Sequence, residues 1–174
     1  MKLLAFAASS SCTSINKQLA TYAASLVEGA DIEIVDLNDF EMPLFSEDKE
    51  REIGHPEQAK NFFEKLGQAD AIIIAFAEHN GSYTAAYKNI FDWTSRIDQQ
   101  LFQNKPMVLL STSPGPGGAS RVLAAAKNSA PHFAGDVKAT LSVPSFYDNF
   151  NSDNQLLCNK ALLDALKVAV ATLS

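Results

Sequence analysis

The segment Ala71–Ala77, reading AIIIAFA, carries no polar side chain. A strand with one wet face alternates apolar and polar residues. A strand that does not alternate is buried on both faces, as in a parallel sheet covered by helices above and below. Leu3–Ala8 has the same character, and Asp31–Leu37, Pro106–Ser111 and Val137–Val143 read as further strands. Between them apolar residues recur at helical spacing: Ile15, Leu19, Tyr22, Ala23 and Leu26, then Ala59, Phe62, Phe63 and Leu66. Tyr83–Ile97 and Ala119–Ala130 also read as helices, and Leu162, Ala165, Leu166, Ala169 and Leu173 stripe a last one. Asn38–Gly54, with Pro43 and the charged run Glu47–Glu52, reads as irregular. Five strands alternating with helices predict an α/β fold with right-handed crossovers onto a five-stranded parallel sheet.

The chain has 174 residues, 47% of them hydrophobic, which suits a single domain over residues 1–174 and excludes intrinsic disorder. A formal charge of −6 argues against nucleic acid or an anionic membrane as a partner. Cys12 and Cys158 make neither a disulfide framework nor a metal spacing, so a reducing compartment, the cytoplasm, is expected. No apolar run approaches a membrane span. Lys2 followed by Leu3–Ala8 has the outline of a signal peptide, but its six apolar residues are short for one and read better as the first strand. His55, His79 and His132 are scattered and form no metal constellation.

Polar segments follow the first, third and fourth strands, and in an open parallel sheet all three share the edge where ligands bind. The first, Ser9–Asn16, places five hydroxyls (Ser9, Ser10, Ser11, Thr13 and Ser14) in six positions before a helix. Free backbone N–H groups, the positive end of the helix dipole and neutral hydroxyl donors together suit a phosphate. Capping by Ser14 or Thr13 alone is the plainer reading, although it needs only one hydroxyl. Glu78-His79-Asn80-Gly81-Ser82 mixes donors and acceptors around a glycine, as a flat heteroaromatic ring requires and as an ordinary turn also does. Ser113-Pro114-Gly115-Pro116-Gly117-Gly118 is stiff and poor in side chains, fit to lie against a planar ligand or simply to turn before a helix. No G-x-x-x-x-G-K-[ST] is present, and the glycine loop fails G-x-G-x-x-G, so neither a P-loop nor a dinucleotide fingerprint is supported. A G-x-S-x-G nucleophile elbow is also missing.

These segments resemble the NADPH-dependent FMN reductase family, which includes quinone, chromate and azo reductases of flavodoxin-like fold. The family's first loop reads G-S-x-R-x-x-S-x-N; here Ser9, Ser14 and Asn16 match, while Ala8 and Ser11 replace the glycine and the arginine. Its second signature, P-E-Y-N-x-S-x-P-x-x-L-K-N-x-I-D-W, is met by Glu78, Asn80, Ser82, Lys88, Asn89, Asp92 and Trp93. Ala77, His79, Thr84, Tyr87 and Phe91 depart from it. Ser113, Gly115 and Gly118 fit the third.

The resemblance implies a three-layer sandwich with strand order 2-1-3-4-5. It also implies FMN as cofactor and NADPH or NADH as co-substrate. Ser9, Ser11, Ser14, Ile15 and Asn16 would hold the FMN phosphate. Glu78, His79, Asn80, Gly81 and Ser82 would border the ring, mainly through backbone, and Ser113, Gly115 and Gly118 would line its other edge. Without the arginine, Lys17 is a candidate for the missing charge, or else a solvated helix lysine. His79 either lies near the ring or is a neutral loop residue. Cys12 near a helix N-terminus is either a low-pKa thiol or an ordinary loop cysteine.

The implied activity passes hydride from NAD(P)H through FMN to a small acceptor: a quinone, an azo compound, a metal oxyanion or free flavin. No catalytic side chain is required, because the flavin carries the chemistry. Two rival readings are an FMN-binding electron carrier without NAD(P)H turnover and a flavin-free scaffold. The helix after the second loop carries Ala86, Ile90, Trp93 and Ile97 on one stripe, widened by Tyr87 and Phe91. That arc exceeds one core face. Together with the resemblance it predicts a homodimer or homotetramer, unless the helix is deeply buried.

Overall fold

The computed structural model describes residues 1–173. Its elements are β1 (Lys2–Ala8), α1 (Ile15–Ser25), β2 (Asp31–Val35), α2 (Glu47–Ile53), α3 (Glu57–Gln68), β3 (Ala71–Phe76), α4 (Ala85–Ser95), β4 (Pro106–Thr112), α5 (Ser120–Ser129) and β5 (Asp136–Val143). After β5 come α6 (Phe146–Asn149), β6 (Phe150–Asn151), β7 (Leu156–Leu157) and α7 (Lys160–Ala171). The main sheet is parallel throughout, in the order β2-β1-β3-β4-β5, as expected.

Strand alternation builds two cores. Leu4, Phe6, Ile72, Ile74, Phe76, Met107 and Leu109 face the layer holding Phe62 and Leu66 of α3, Tyr87 and Ile90 of α4 and Val122 of α5. Leu3, Ala5, Ile73, Ala75, Val108 and Leu110 face the other way, onto Leu19, Ala20 and Ala23 of α1 and Leu166 and Val170 of α7. All six residues of β3 are buried, which explains why its sequence lacks alternation. Each fully buried aliphatic side chain contributes about 1.5–3 kcal/mol.

Asn38–Gly54 is less irregular than the sequence suggests. Leu37–Phe40 forms a 3-10 turn capped by Asp36, and α2 follows between Ser46 as its N-cap and Gly54 at its C-terminus. None of the residues of α2 is buried, so no apolar stripe announced it. Its first turn holds Glu47, Asp48 and Glu50, which suits the positive end of the dipole.

The chain leaves β1 for β2 on one side and returns to β3 on the other, so the order reverses between β1 and β3. The connections at the carboxyl ends of those strands therefore diverge and leave a crevice.

Candidate functional site

A cleft of about 260 Å³ lies at that crevice. It is lined by Ser9, Ser11, Thr13, Ser14, Ile15 and Asn16 from the first loop, Ala77, Glu78 and His79 from the second, and Thr112, Ser113 and Pro114 from the third. The structure thus brings eight of the expected site residues to one place: Ser9, Ser11, Ser14, Ile15, Asn16, Glu78, His79 and Ser113. Asn80, Gly81, Ser82, Gly115 and Gly118 are not among the residues that line it. Tyr147, from α6, completes the wall. No motif of the sequence points to it.

The hydroxyls of the first loop divide into two kinds. Ser14 caps α1 by accepting from Lys17 N at 3.2 Å, and Ser9 Oγ accepts from Ser11 N at 3.2 Å. A hydroxyl that accepts keeps its own proton to donate, so both remain donors toward the cleft. Ser10, Ser11 and Thr13 are exposed, and Ser11 Oγ and Thr13 Oγ1 are 3.5 Å apart. The capping reading of Ser14 and the anion-site reading are therefore compatible. The N–H groups of the first turn of α1 add further donors, as at any helix start.

Asn16 is buried, and its amide is committed to backbone: Nδ2 donates to Thr112 O at 3.1 Å and Oδ1 accepts from Thr112 N at 3.0 Å. Its side chain ties the first loop to the third. Thr84, where the family has proline, does the same for the second loop. It caps α4 through Tyr87 N and donates from Oγ1 to Ala8 O at 2.9 Å.

Lys17 does not supply the charge of the missing arginine. Its Nζ lies 2.5 Å from Asp36 Oδ2. The Lys17 ammonium, reinforced by the Asn38 backbone N–H, holds the Asp36 carboxyl below its ordinary range. Asn38 Nδ2 in turn donates to Asp36 Oδ1 and to Ser10 O, which extends the network to the loop. Among the described residues no lysine or arginine lines the cleft.

The second loop is a tight reversal. His79 and Ser82 exchange backbone hydrogen bonds at 3.0 and 3.1 Å, with Asn80 at φ 53° and Gly81 at φ 78°. Both central residues are left-handed, the pairing that Asn-Gly favours. The Glu78 carboxylate accepts from Val122 N at 3.0 Å. It thereby caps α5, whose own N-cap Ala119 has no side-chain acceptor. Glu78 also lines the cleft. His79 is exposed at the rim.

Gly118 has φ 56°, and a Cβ there would lie 2.3 Å from Ser142 Oγ and 3.1 Å from Pro144 N. Its carbonyl accepts from both Ser111 Oγ and Ser142 Oγ. The third loop is thereby held against β5, and packing alone requires glycine at 118.

The far half of the second signature has a structural role. Asn89 Oδ1 accepts from Phe45 N at 2.8 Å and its Nδ2 donates to Pro43 O at 3.1 Å, while Trp93 Nε1 donates to Pro43 O at 2.7 Å. Phe45 packs edge-on against Trp93, and Lys88 pairs with Asp92. The strap 42–45 thus covers Trp93 within one chain, so part of the apolar arc read as an interface is used internally. Tyr87 is fully buried, and burial pushes its phenol pKa up. His55 pairs with Glu50, which also takes Arg96. Among the described residues no cluster of metal-ligating side chains occurs. No helix there is long and apolar enough to cross a membrane.

Comparison with known proteins agrees with this geometry. An NAD(P)H-dependent FMN reductase of Pseudomonas aeruginosa is 34% identical over 122 residues, 70% of this chain and 64% of that protein. A 2-hydroxy-1,4-benzoquinone reductase of a Burkholderia species is 36% identical over 104 residues, 59% of this chain and 55% of that protein. The matched regions therefore span less than two thirds of either relative's length. Among solved structures, the flavoenzyme NAD(P)H:(acceptor) oxidoreductase FerB from Paracoccus denitrificans shares the fold. Its TM-score is 0.76 at 22% identity, over 99% of this chain and 94% of that one. The family model described as NADPH-dependent FMN reductase matches residues 1–148, and this chain belongs to that family.

Proposed function

We propose that residues 1–174 form one FMN-binding domain that acts as an NAD(P)H oxidoreductase toward a small acceptor such as a quinone, an azo compound, a metal oxyanion or free flavin. The observation that carries this is the convergence of three loops on one cleft at the switch point of a flavodoxin-like sheet, with the hydroxyl-rich start of α1 at one end. The residues fit the group: neutral donors of Ser9, Ser11 and Ser14 and the N–H groups of Ile15 and Asn16 suit its phosphate. The turn from Glu78 to Ser82 and the Ser113–Gly118 loop offer backbone and little side chain to its ring. When bound, FMN supplies the redox chemistry, taking hydride from NAD(P)H and giving electrons to the acceptor.

The chain's own residues bind and orient. Asn16 and Thr84 fix the three loops relative to one another through buried hydrogen bonds, so the donors are in place before a ligand arrives. Glu78 is engaged with the start of α5 through Val122 N.

Leu44 is 79% exposed beside a groove lined by Leu37, Phe40, Met42, Ala86 and Ile90. That surface supports a homodimer or homotetramer, formed around the first half of α4. Two exposed thiols, Cys12 and Cys158, suit the cytoplasm.

The test is spectroscopic. The purified protein mixed with FMN should show a perturbed flavin spectrum, and anaerobic NADPH or NADH should bleach it. A bound flavin that neither nucleotide bleaches would identify an electron carrier instead. A protein that leaves the FMN spectrum unchanged would remove the flavin reading.

A further inference from the structure

The segment after β5 folds back across α1. Phe146 and Phe150 are buried and stack with ring centroids 4.7 Å apart and planes at 19°. Tyr22 of α1 meets Phe150 edge-on at 5.8 Å, and Gln155 Nε2 donates to Gln18 Oε1 at 3.4 Å. At its other end the segment is pinned to the third loop: Ser145 N donates to Gly115 O at 2.9 Å and Phe146 N to Ser113 O at 3.0 Å. Ser145 holds a left-handed φ of 44°, which is unfavourable for a residue with a Cβ, so the surrounding bonds must enforce it. Asn149 Nδ2 closes the turn onto Pro144 O at 2.8 Å.

This anchored turn carries Tyr147 to the lip of the cleft, where the residue is 68% exposed next to a fully buried Phe146. It shares the cleft lining with Ser11, Thr13 and Ser14 at the start of α1 and with Ser113. A tyrosine has only two side-chain torsions to fix, so a ligand orders it at low entropic cost. The site also needs what such a ring provides. With Ser11 in place of arginine and Lys17 paired to Asp36, the phosphate end is held by neutral donors, and excluding water strengthens their hydrogen bonds.

We propose that Tyr147 closes the phosphate end of the cleft, covering the phosphate of FMN with its ring and donating to it from its hydroxyl. The inference rests on the FMN reading above. It assigns α6, outside the three loops, a part in the binding site.

Dissociation constants for FMN and for riboflavin, measured by quenching of flavin fluorescence, test it in the wild type, Tyr147→Phe and Tyr147→Ala. The exposed ring leaves the fold intact when truncated, which equal melting temperatures verify. Tyr147→Ala should weaken FMN about tenfold and Tyr147→Phe about threefold, the size of one lost hydrogen bond with and without its cover. Riboflavin, which lacks the phosphate, should bind all three proteins equally. Equal FMN affinity in wild type and Tyr147→Ala would overturn the role of Tyr147 while leaving FMN binding intact. Equal losses for FMN and riboflavin would overturn its placement at the phosphate. A wild type that binds neither flavin would overturn the FMN reading itself, and this inference with it.

Discussion

Asn16 and Thr112 form a two-point clasp: the side-chain amide at the start of α1 gives and takes one hydrogen bond with the backbone of the last residue of β4, at 3.1 and 3.0 Å. Ninety-six positions separate them in the chain. The clasp joins the first loop to the third across β3, and neither partner is exposed beyond 2%. Asn16→Ala should therefore cost about 2–4 kcal/mol, two hydrogen bonds plus the desolvation of stranded backbone groups. Denaturant unfolding measures this, and a loss under about 0.5 kcal/mol would refute the clasp.

Ser11→Arg should restore the family's charged phosphate contact. An added charge-assisted hydrogen bond at this exposed position should tighten FMN about tenfold, an effect that shrinks in high salt. Titrations at low and high ionic strength check both parts. An arginine that leaves affinity unchanged would place the phosphate away from Ser11.

Gly118→Ala should destabilise the protein by about 1–3 kcal/mol, since the new methyl meets the Pro144 backbone and Ser142 Oγ at a left-handed φ. Gly115 has open space around its Cα, and Gly115→Ala is expected to be milder. Comparing the two melting temperatures tests whether it is packing that requires glycine in this loop.

Asp36→Asn should lower stability at neutral pH by less than about 1 kcal/mol, because the pair with Lys17 is one-third exposed and screened. The carboxyl of Asp36 is held below its ordinary value of 3.8, so its contribution is present above that pH and disappears as pH falls through the lower folded value. The gap between wild type and variant should therefore close only in acid below pH 3.8. A gap that closes between pH 5 and 7 would contradict this assignment.

All five strands and the five helices that flank the sheet were legible because they bury periodic apolar stripes, and β3 and β1 most plainly because they bury both faces. Element boundaries shifted by a residue or two, in two places because of caps: Thr84 precedes α4 and Ala119 precedes α5 rather than belonging to them. What stayed hidden lacks periodicity. The helix α2 buries nothing, and its signals were Ser46 and Gly54 at its two ends and the acidic first turn Glu47, Asp48 and Glu50. The turn after β5 is too short to show a period, although Phe146, Tyr147 and Phe150 were a visible aromatic cluster. Within the site, the hydroxyl loop could be read from composition alone. The work of Asn16, Glu78 and Asn89 could not, since a side chain's choice between ligand and backbone depends on partners 96, 44 and 44 positions away.

The position of a bound FMN phosphate decides whether the start of α1 is its site. A crystal structure of the protein grown with FMN measures this directly. The phosphate should lie within hydrogen-bonding distance of the Ser9, Ser11 and Ser14 hydroxyls and the first N–H groups of α1. A phosphate bound elsewhere, with those hydroxyls turned away from it, would contradict the account.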